Sequence, residues 1–144
     1  RFGSMFAGGT KEEIDTLTEF GEKIGIAFQL ADDIIDIASD SLESGKTPGT
    51  DLREGIPTLV TLNAMKSNDP SDASLKLALS GPIKSEEQVQ WVINELRGHK
   101  AMAESRIQLQ QIAKEARAAL GALPISESSS ALYSLCDLVI DRVG

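Results

Sequence analysis

Residues Lys11 to Ala38, KEEIDTLTEFGEKIGIAFQLADDIIDIA, are the segment that most restricts the folds open to this chain. Gly8-Gly9 stops any helix that precedes it. Thr10 then supplies an N-cap hydroxyl, and Glu13 stands three residues on as its capping-box partner. The pattern predicts one helix from Lys11 to about Ala38, long enough that it has to cross the whole core. A chain of 144 residues builds one compact domain around such a helix.

The other periodic segments also read as helices. Ala, Leu, Ile, Glu, Gln and Lys dominate them, and aromatic residues make up only 4% of the chain, which favours helix over strand. Residues 39–57, SDSLESGKTPGTDLREGIP, hold three glycines and two prolines and read as a long loop with short turns. A short helix is predicted near Thr58 to Lys66, and another through ASLKLAL before Gly81-Pro82. Ser85 with Gln88 makes a second capping box. Behind it Val89, Val92, Ile93 and Leu96 recur at i, i+3, i+4 and i+7. Gly98 weakens that stretch, and Leu109, Ile112, Ala113, Ala116 and Leu120 resume its pattern up to Pro124. The last helix is predicted over roughly Ser129 to Arg142, with Leu132, Leu135 and Val139 inward. With no repeat and no strand pattern, the fold class is all-α.

Charge and cysteine content exclude several functions. The formal net charge of −8 argues against nucleic-acid binding by bulk electrostatics. Cys136 is the only cysteine, so neither an intrachain disulfide nor a cysteine-rich zinc site is available. That usage fits a reducing, cytoplasmic setting. No apolar run reaches the roughly 18–20 residues of a membrane span.

The end of the long helix, AFQLADDIIDI, places Gln29, Asp32, Asp33 and Asp36 within about 100° of arc. Phe28, Leu30, Ala31, Ile34, Ile35 and Ile37 fill the remaining circumference. One reading is a solvated face. Such faces normally mix charge signs, whereas here Asp32 and Asp36 repel each other at i, i+4, and aspartate is a poor helix former. The other reading is a stripe facing a cleft that collects a hard cation. Aspartate oxygens at this spacing suit Mg²⁺, which keeps several waters and shares a phosphate. The loop behind it brings Lys46 and Arg53 to either side of TPGTDL, with Gly45 and Gly49 allowing close backbone approach. These read either as ordinary surface cations or, beside an acidic metal cleft, as phosphate-directed ones. The spacing matches neither an EF-hand nor a P-loop.

GIAFQLADDIIDI followed by GKTPGTDLREGIPTL resembles the trans-isoprenyl diphosphate synthases, or polyprenyl synthetases, in their second aspartate-rich motif and the lysine-bearing loop behind it. The match is dense over roughly residues 20–62. The resemblance implies an all-helical bundle of the isoprenoid-synthase type, with residues 1–144 as the C-terminal half of a single polyprenyl synthetase domain. It implies Mg²⁺-dependent condensation of an allylic diphosphate with isopentenyl diphosphate into a longer trans-polyprenyl diphosphate. Carried over by position, Asp32 and Asp36 bind Mg²⁺ bridged to the allylic diphosphate, and Asp33 assists through water or neighbouring cations. Gln29 reaches the diphosphate, Phe28 touches the allylic chain, and Lys46 neutralises the departing charge. Asp51 is placed to hold Lys46 in the empty site. The family also implies a homodimer in full-length form.

The sequence departs from the family in three places. Ile56 stands where many members carry a second lysine, and Val60 stands where many have proline. The first aspartate-rich motif and the isopentenyl diphosphate site are absent, which predicts that this chain alone is an incomplete, inactive fragment. Two rivals remain at this level. A class I terpene cyclase fragment also uses DDxxD, but the GKTPGTDL loop favours the synthase. A non-catalytic helical subunit or interaction module is expected to lose carboxylates from DDxxD, and this chain keeps them all. Elsewhere, His99 is expected at an exposed polar position, Cys136 and Trp91 in packing roles, and Met5-Phe6 as a partner-helix contact.

Overall fold

The computed structural model describes residues 1–39 and 48–143. Every regular element among them is helical. In order they are α1 (Phe2–Phe6), α2 (Lys11–Ala38), α3 (Thr50–Glu54), α4 (Leu59–Met65), a 3-10 turn (Pro70–Asp72), α5 (Ala73–Ala78), α6 (Glu86–Gly98), α7 (Lys100–Ala119), a second 3-10 turn (Leu120–Ala122) and α8 (Glu127–Asp141). The all-α expectation holds. No helix among the described residues is long and apolar enough to cross a membrane.

Local chemistry sets the helix ends. Before α2, the Thr10 N–H donates to Glu13 Oε2 at 2.8 Å and the Glu13 N–H returns to Thr10 Oγ1 at 3.3 Å, the reciprocal box its sequence predicts. Ser85 accepts the Gln88 N–H at the head of α6. Two further boxes pair hydroxyl residues, Thr58 with Thr61 and Ser126 with Ser129. The second starts α8 earlier than expected, because a serine at the third helical position performs the return bond usually made by Glu or Gln.

The pattern broken at Gly98 is two helices and not one weakened helix. His99 adopts extended backbone (φ −82°, ψ 146°) between α6 and α7. Its side chain is not exposed, as expected from sequence, but only 11% accessible. Nδ1 accepts the Ala101 N–H at 3.1 Å and so caps α7, while Nε2 lies 3.0 Å from Asp72 Oδ2. Because Nδ1 faces a donor, the ring proton sits on Nε2 and points at the carboxylate. The Ser67 hydroxyl and His99 together hold the Asp72 carboxyl below the usual carboxylate range. A depressed carboxyl adds stability above its unfolded pKa of about 4, and that stability is lost as pH falls through the lower folded value. Asp72→Asn is therefore expected to lower the Tm at neutral pH and to flatten the acid limb of the Tm–pH curve, read by circular dichroism melts. An acid limb as steep as that of the unsubstituted chain would remove Asp72 from this role.

The helices group into two compact units. One contains Arg1–Ala31 and Gln108–Gly144. Phe20, Ile24, Ala27, Leu109, Ala113, Leu120, Cys136 and Val139 are buried in it. Lys23 Nζ reaches Glu115 Oε2 at 3.0 Å, tying α2 to α7. On α8, Leu132 and Leu135 are only half-buried, and Ser129, Cys136 and Val139 form the inward line. Met5 and Phe6 of α1 are exposed.

The other unit, Asp32–Ile107, contains the end of α2, α3 to α6 and the start of α7. Ile34, Ile37, Leu52, Val60, Val89, Val92, Ile93 and Leu96 are buried. Asn63 Nδ2 donates to the buried Ser105 hydroxyl at 3.0 Å, which in turn donates to the Ala101 carbonyl. Trp91 is not a packing anchor: it is 38% exposed. Its position, two residues after Val89, places it about 150° from the centre of the buried stripe of α6.

Candidate active site

The three aspartates of α2 meet different surroundings. Asp32 is exposed. Asp33 is half-buried, and its Oδ2 accepts the Leu59 N–H at 3.3 Å, the first residue of α4. A carboxylate there meets the positive end of the helix dipole. Asp36 is also half-buried. Its carboxylate accepts backbone N–H groups at the start of α3, among them those of Thr50 and Asp51, and its main-chain carbonyl accepts the Gly49 N–H at 3.3 Å. The helix stripe is thus used partly to build the turn that follows it.

Asp36 and Asp51 are the members of the group whose carboxyls are pushed up. Burial pushes the Asp36 carboxyl up, against the N–H groups of Thr50, Asp51 and Gly49 and the charge of Arg53. Asp36 Oδ2 is buried and accepts no hydrogen bond among the described residues. Asp51 is pushed up by its own burial and then by the charges of Asp36, Asp33 and Glu54. Hard oxygen donors, an orphaned carboxylate oxygen and mutual repulsion fit a divalent cation by chemistry. Among the described residues, no group of three or more His, Cys, Asp or Glu is placed to hold a metal on its own. Water and a phosphate would have to complete such a site.

The predicted cations behave differently from each other. Lys46 lies outside the described residues. Arg53, read from sequence as a bracket beside Lys46, is committed to structure. Its Nη2 lies 2.8 and 2.9 Å from the two Glu86 carboxylate oxygens, and its Nη1 donates to the Pro48 carbonyl at 2.6 Å. A surface cation with a bidentate carboxylate partner has little left for a ligand. One turn before the stripe on α2, Phe28 is half-buried with the Arg142 guanidinium 5.5 Å from its ring centroid, and Gln29 is exposed.

Asp51 also lines a half-open cavity of ≈ 340 Å³. Its other walls are mostly apolar and include Leu52, Ile56, Leu62, Met65 and Ile83. Sequence reasoning missed Glu86 and Arg97 altogether. Both are charged residues on the polar face of an amphipathic helix, and nothing in their spacing separates them from solvated neighbours.

The polyprenyl synthetase family model matches residues 1–96. This chain belongs to the polyprenyl synthetase family. It is 43% identical to the nonaprenyl diphosphate synthase of Mycobacterium tuberculosis over 144 residues, which is 100% of this chain and 43% of that protein. It is 34% identical to the octaprenyl diphosphate synthase of Haemophilus influenzae, covering 96% of this chain and 42% of that one. Its fold superposes with a TM-score of 0.90 on the geranylgeranyl pyrophosphate synthase of Corynebacterium glutamicum, complexed with calcium and isoprenyl diphosphate, at 39% identity over 99% of this chain and 44% of that one. The helix-only architecture is therefore that of its polyprenyl synthetase relatives. The chain spans less than half the length of the curated relatives it matches.

Proposed function

We propose that residues 1–144 form the part of a trans-polyprenyl diphosphate synthase that carries the second aspartate-rich motif, in the C-terminal half of a single synthase domain. The reaction is condensation of an allylic diphosphate with isopentenyl diphosphate. The observation that carries this reading is Asp36 at the end of α2, whose buried Oδ2 has no partner among the described residues, beside Asp51, whose carboxyl is pushed up by its own burial and by the charges of Asp36 and Asp33. That arrangement is costly unless a cation and an anionic ligand arrive together. The rival of a non-catalytic helical module gives no reason to keep it.

Magnesium, when bound, neutralises charge on the departing diphosphate. The chain's own residues do the rest. Asp32, exposed on the stripe, would offer an oxygen ligand, and Asp36 would offer its Oδ2, which has no partner among the described residues. Asp33 and Asp51 add negative potential, and Asp33 also anchors α4. Gln29 hydrogen-bonds the diphosphate, and Lys46 offsets the charge that develops on it. Phe28 meets the allylic chain. The apolar cavity beside Asp51 gives hydrocarbon a wall that keeps water from the allylic cation. A homodimer in the cytoplasm is the setting this reading assigns to the complete enzyme.

Two proteins test the proposal. The 144-residue chain alone is expected to give no product from labelled isopentenyl diphosphate and geranyl diphosphate, because the two substrate sites have to be preorganised together. A chimera in which residues 1–144 replace the matching segment of the Corynebacterium glutamicum enzyme is expected to turn over in Mg²⁺ and to stop in chelator. A folded chimera that binds neither diphosphate would end the proposal. Turnover by the short chain at a rate near that of the chimera would end the claim that it is incomplete.

A further inference from the structure

Helix α6 grips the chain on both sides of residues 40–47. Upstream, Arg97 in its last turn donates Nε–H to the Ile37 carbonyl at 2.9 Å and an Nη2 proton to the Ser39 carbonyl at 2.7 Å. Carbonyls at a helix C-terminus lack intrahelical partners, and a guanidinium there satisfies two at once while meeting the negative end of the dipole. Downstream, Glu86 at the first position of α6 takes the Arg53 fork, and Arg53 in turn holds the Pro48 carbonyl. Between these clamps Gly49 lies so close to α6 that a Cβ would fall 2.9 Å from both Val89 Cγ1 and Ile93 Cδ1. The Gly49 N–H to Asp36 carbonyl bond closes the base. All of these contacts converge on the backbone around Asp36, Thr50 and Asp51.

We propose that Arg97 and the Arg53–Glu86 pair are positioning residues for the aspartate stripe. On this inference, which rests on the diphosphate reading above, α6 is a platform. It fixes the end of α2 against the 48–51 turn so that the carboxylates present one arrangement to a metal-bound diphosphate. The role is not simply one of stability. The Glu86 side chain is 62% exposed, and an ion pair with so exposed a partner adds little to global stability. Its geometry, however, sets where Pro48 and the residues after it lie.

The test is a titration of the ¹⁵N-labelled 144-residue chain with inorganic diphosphate in Mg²⁺, followed on the amides of Asp32–Ile37 and Thr50–Leu52. Thermal melts are run on every variant. The expected result is Mg²⁺-dependent binding that weakens about tenfold in Arg97→Ala and Glu86→Ala, since small misplacements of site groups carry large costs. Glu86→Ala should keep its Tm within a few degrees. Glu86→Asp should recover most of the affinity. Arg97→Lys should fall between, because one ammonium does not reproduce a fork across two carbonyls. Should Arg97→Ala not fold, the two Glu86 variants decide alone. Affinity unchanged in the folded variants overturns the positioning role and leaves the diphosphate reading standing. An unsubstituted chain that does not respond to diphosphate in Mg²⁺ overturns both.

Discussion

Asp32→Ala, made in the chimeric synthase, is expected to lower kcat by on the order of 10²-fold or more, the usual cost of removing one group that stabilises developing charge. Asp32 is the one exposed carboxylate of the three, so its side chain reaches solvent. Asp33→Ala is expected to cost much less rate and some stability instead. Its carboxylate accepts the Leu59 N–H, and its loss weakens the start of α4 by roughly 0.3–1 kcal/mol. Asp36→Asn separates the two roles of the third carboxylate. An amide keeps one oxygen for the N–H groups of Thr50 and Asp51 but loses the charge, so the fold should survive while the Mg²⁺ requirement rises. Steady-state kinetics across a Mg²⁺ series, with urea melts alongside, give all three outcomes. Equal and small rate effects at Asp32 and Asp33 would count against the stripe as a metal site.

The largest expected stability effect is at Gly55. It closes α3 with φ +72°, and a Cβ there would stand 2.8 Å from the Pro82 backbone nitrogen and 2.9 Å from two atoms of its ring. The left-handed conformation costs an L residue roughly 1–2 kcal/mol. Overpacking against rigid backbone adds roughly 1–3 kcal/mol, so Gly55→Ala should lose about 2–5 kcal/mol in urea unfolding. Gly49→Ala, at φ +78°, is the informative comparison. Its closest neighbours are side-chain carbons of Val89 and Ile93, and the Ile93 methyl can swing away. It should therefore cost less than Gly55→Ala, and a reversed order would mean that the Pro82 segment yields more readily than α6.

Much of the architecture is legible from local chemistry. The capping box at Thr10 and Glu13, the glycines before it and the absence of any proline through Ala38 favour α2 without tertiary help. The same holds for the buried stripe of α6, because a 3.6-residue period states which residues face inward. The motif residues 28–36 and the all-α class were likewise available from sequence. Interactions between residues distant in sequence were not. His99 reads as exposed because its neighbours are Gly98 and Lys100, yet Asp72, from a turn 27 residues away in sequence, draws it inward. Arg53 reads as a free cation beside Lys46, yet Glu86, 33 residues on, takes its fork. Trp91 reads as core by residue type, although the phase of α6, itself legible in the sequence, turns it outward. Residue order alone determined where α2 begins and which carboxylates share its face, because capping and periodicity act over a few residues. The tertiary structure decided which charges are already spent on the protein itself and which remain for a ligand, because a long side chain pairs with whatever the packed backbone brings within about 3 Å.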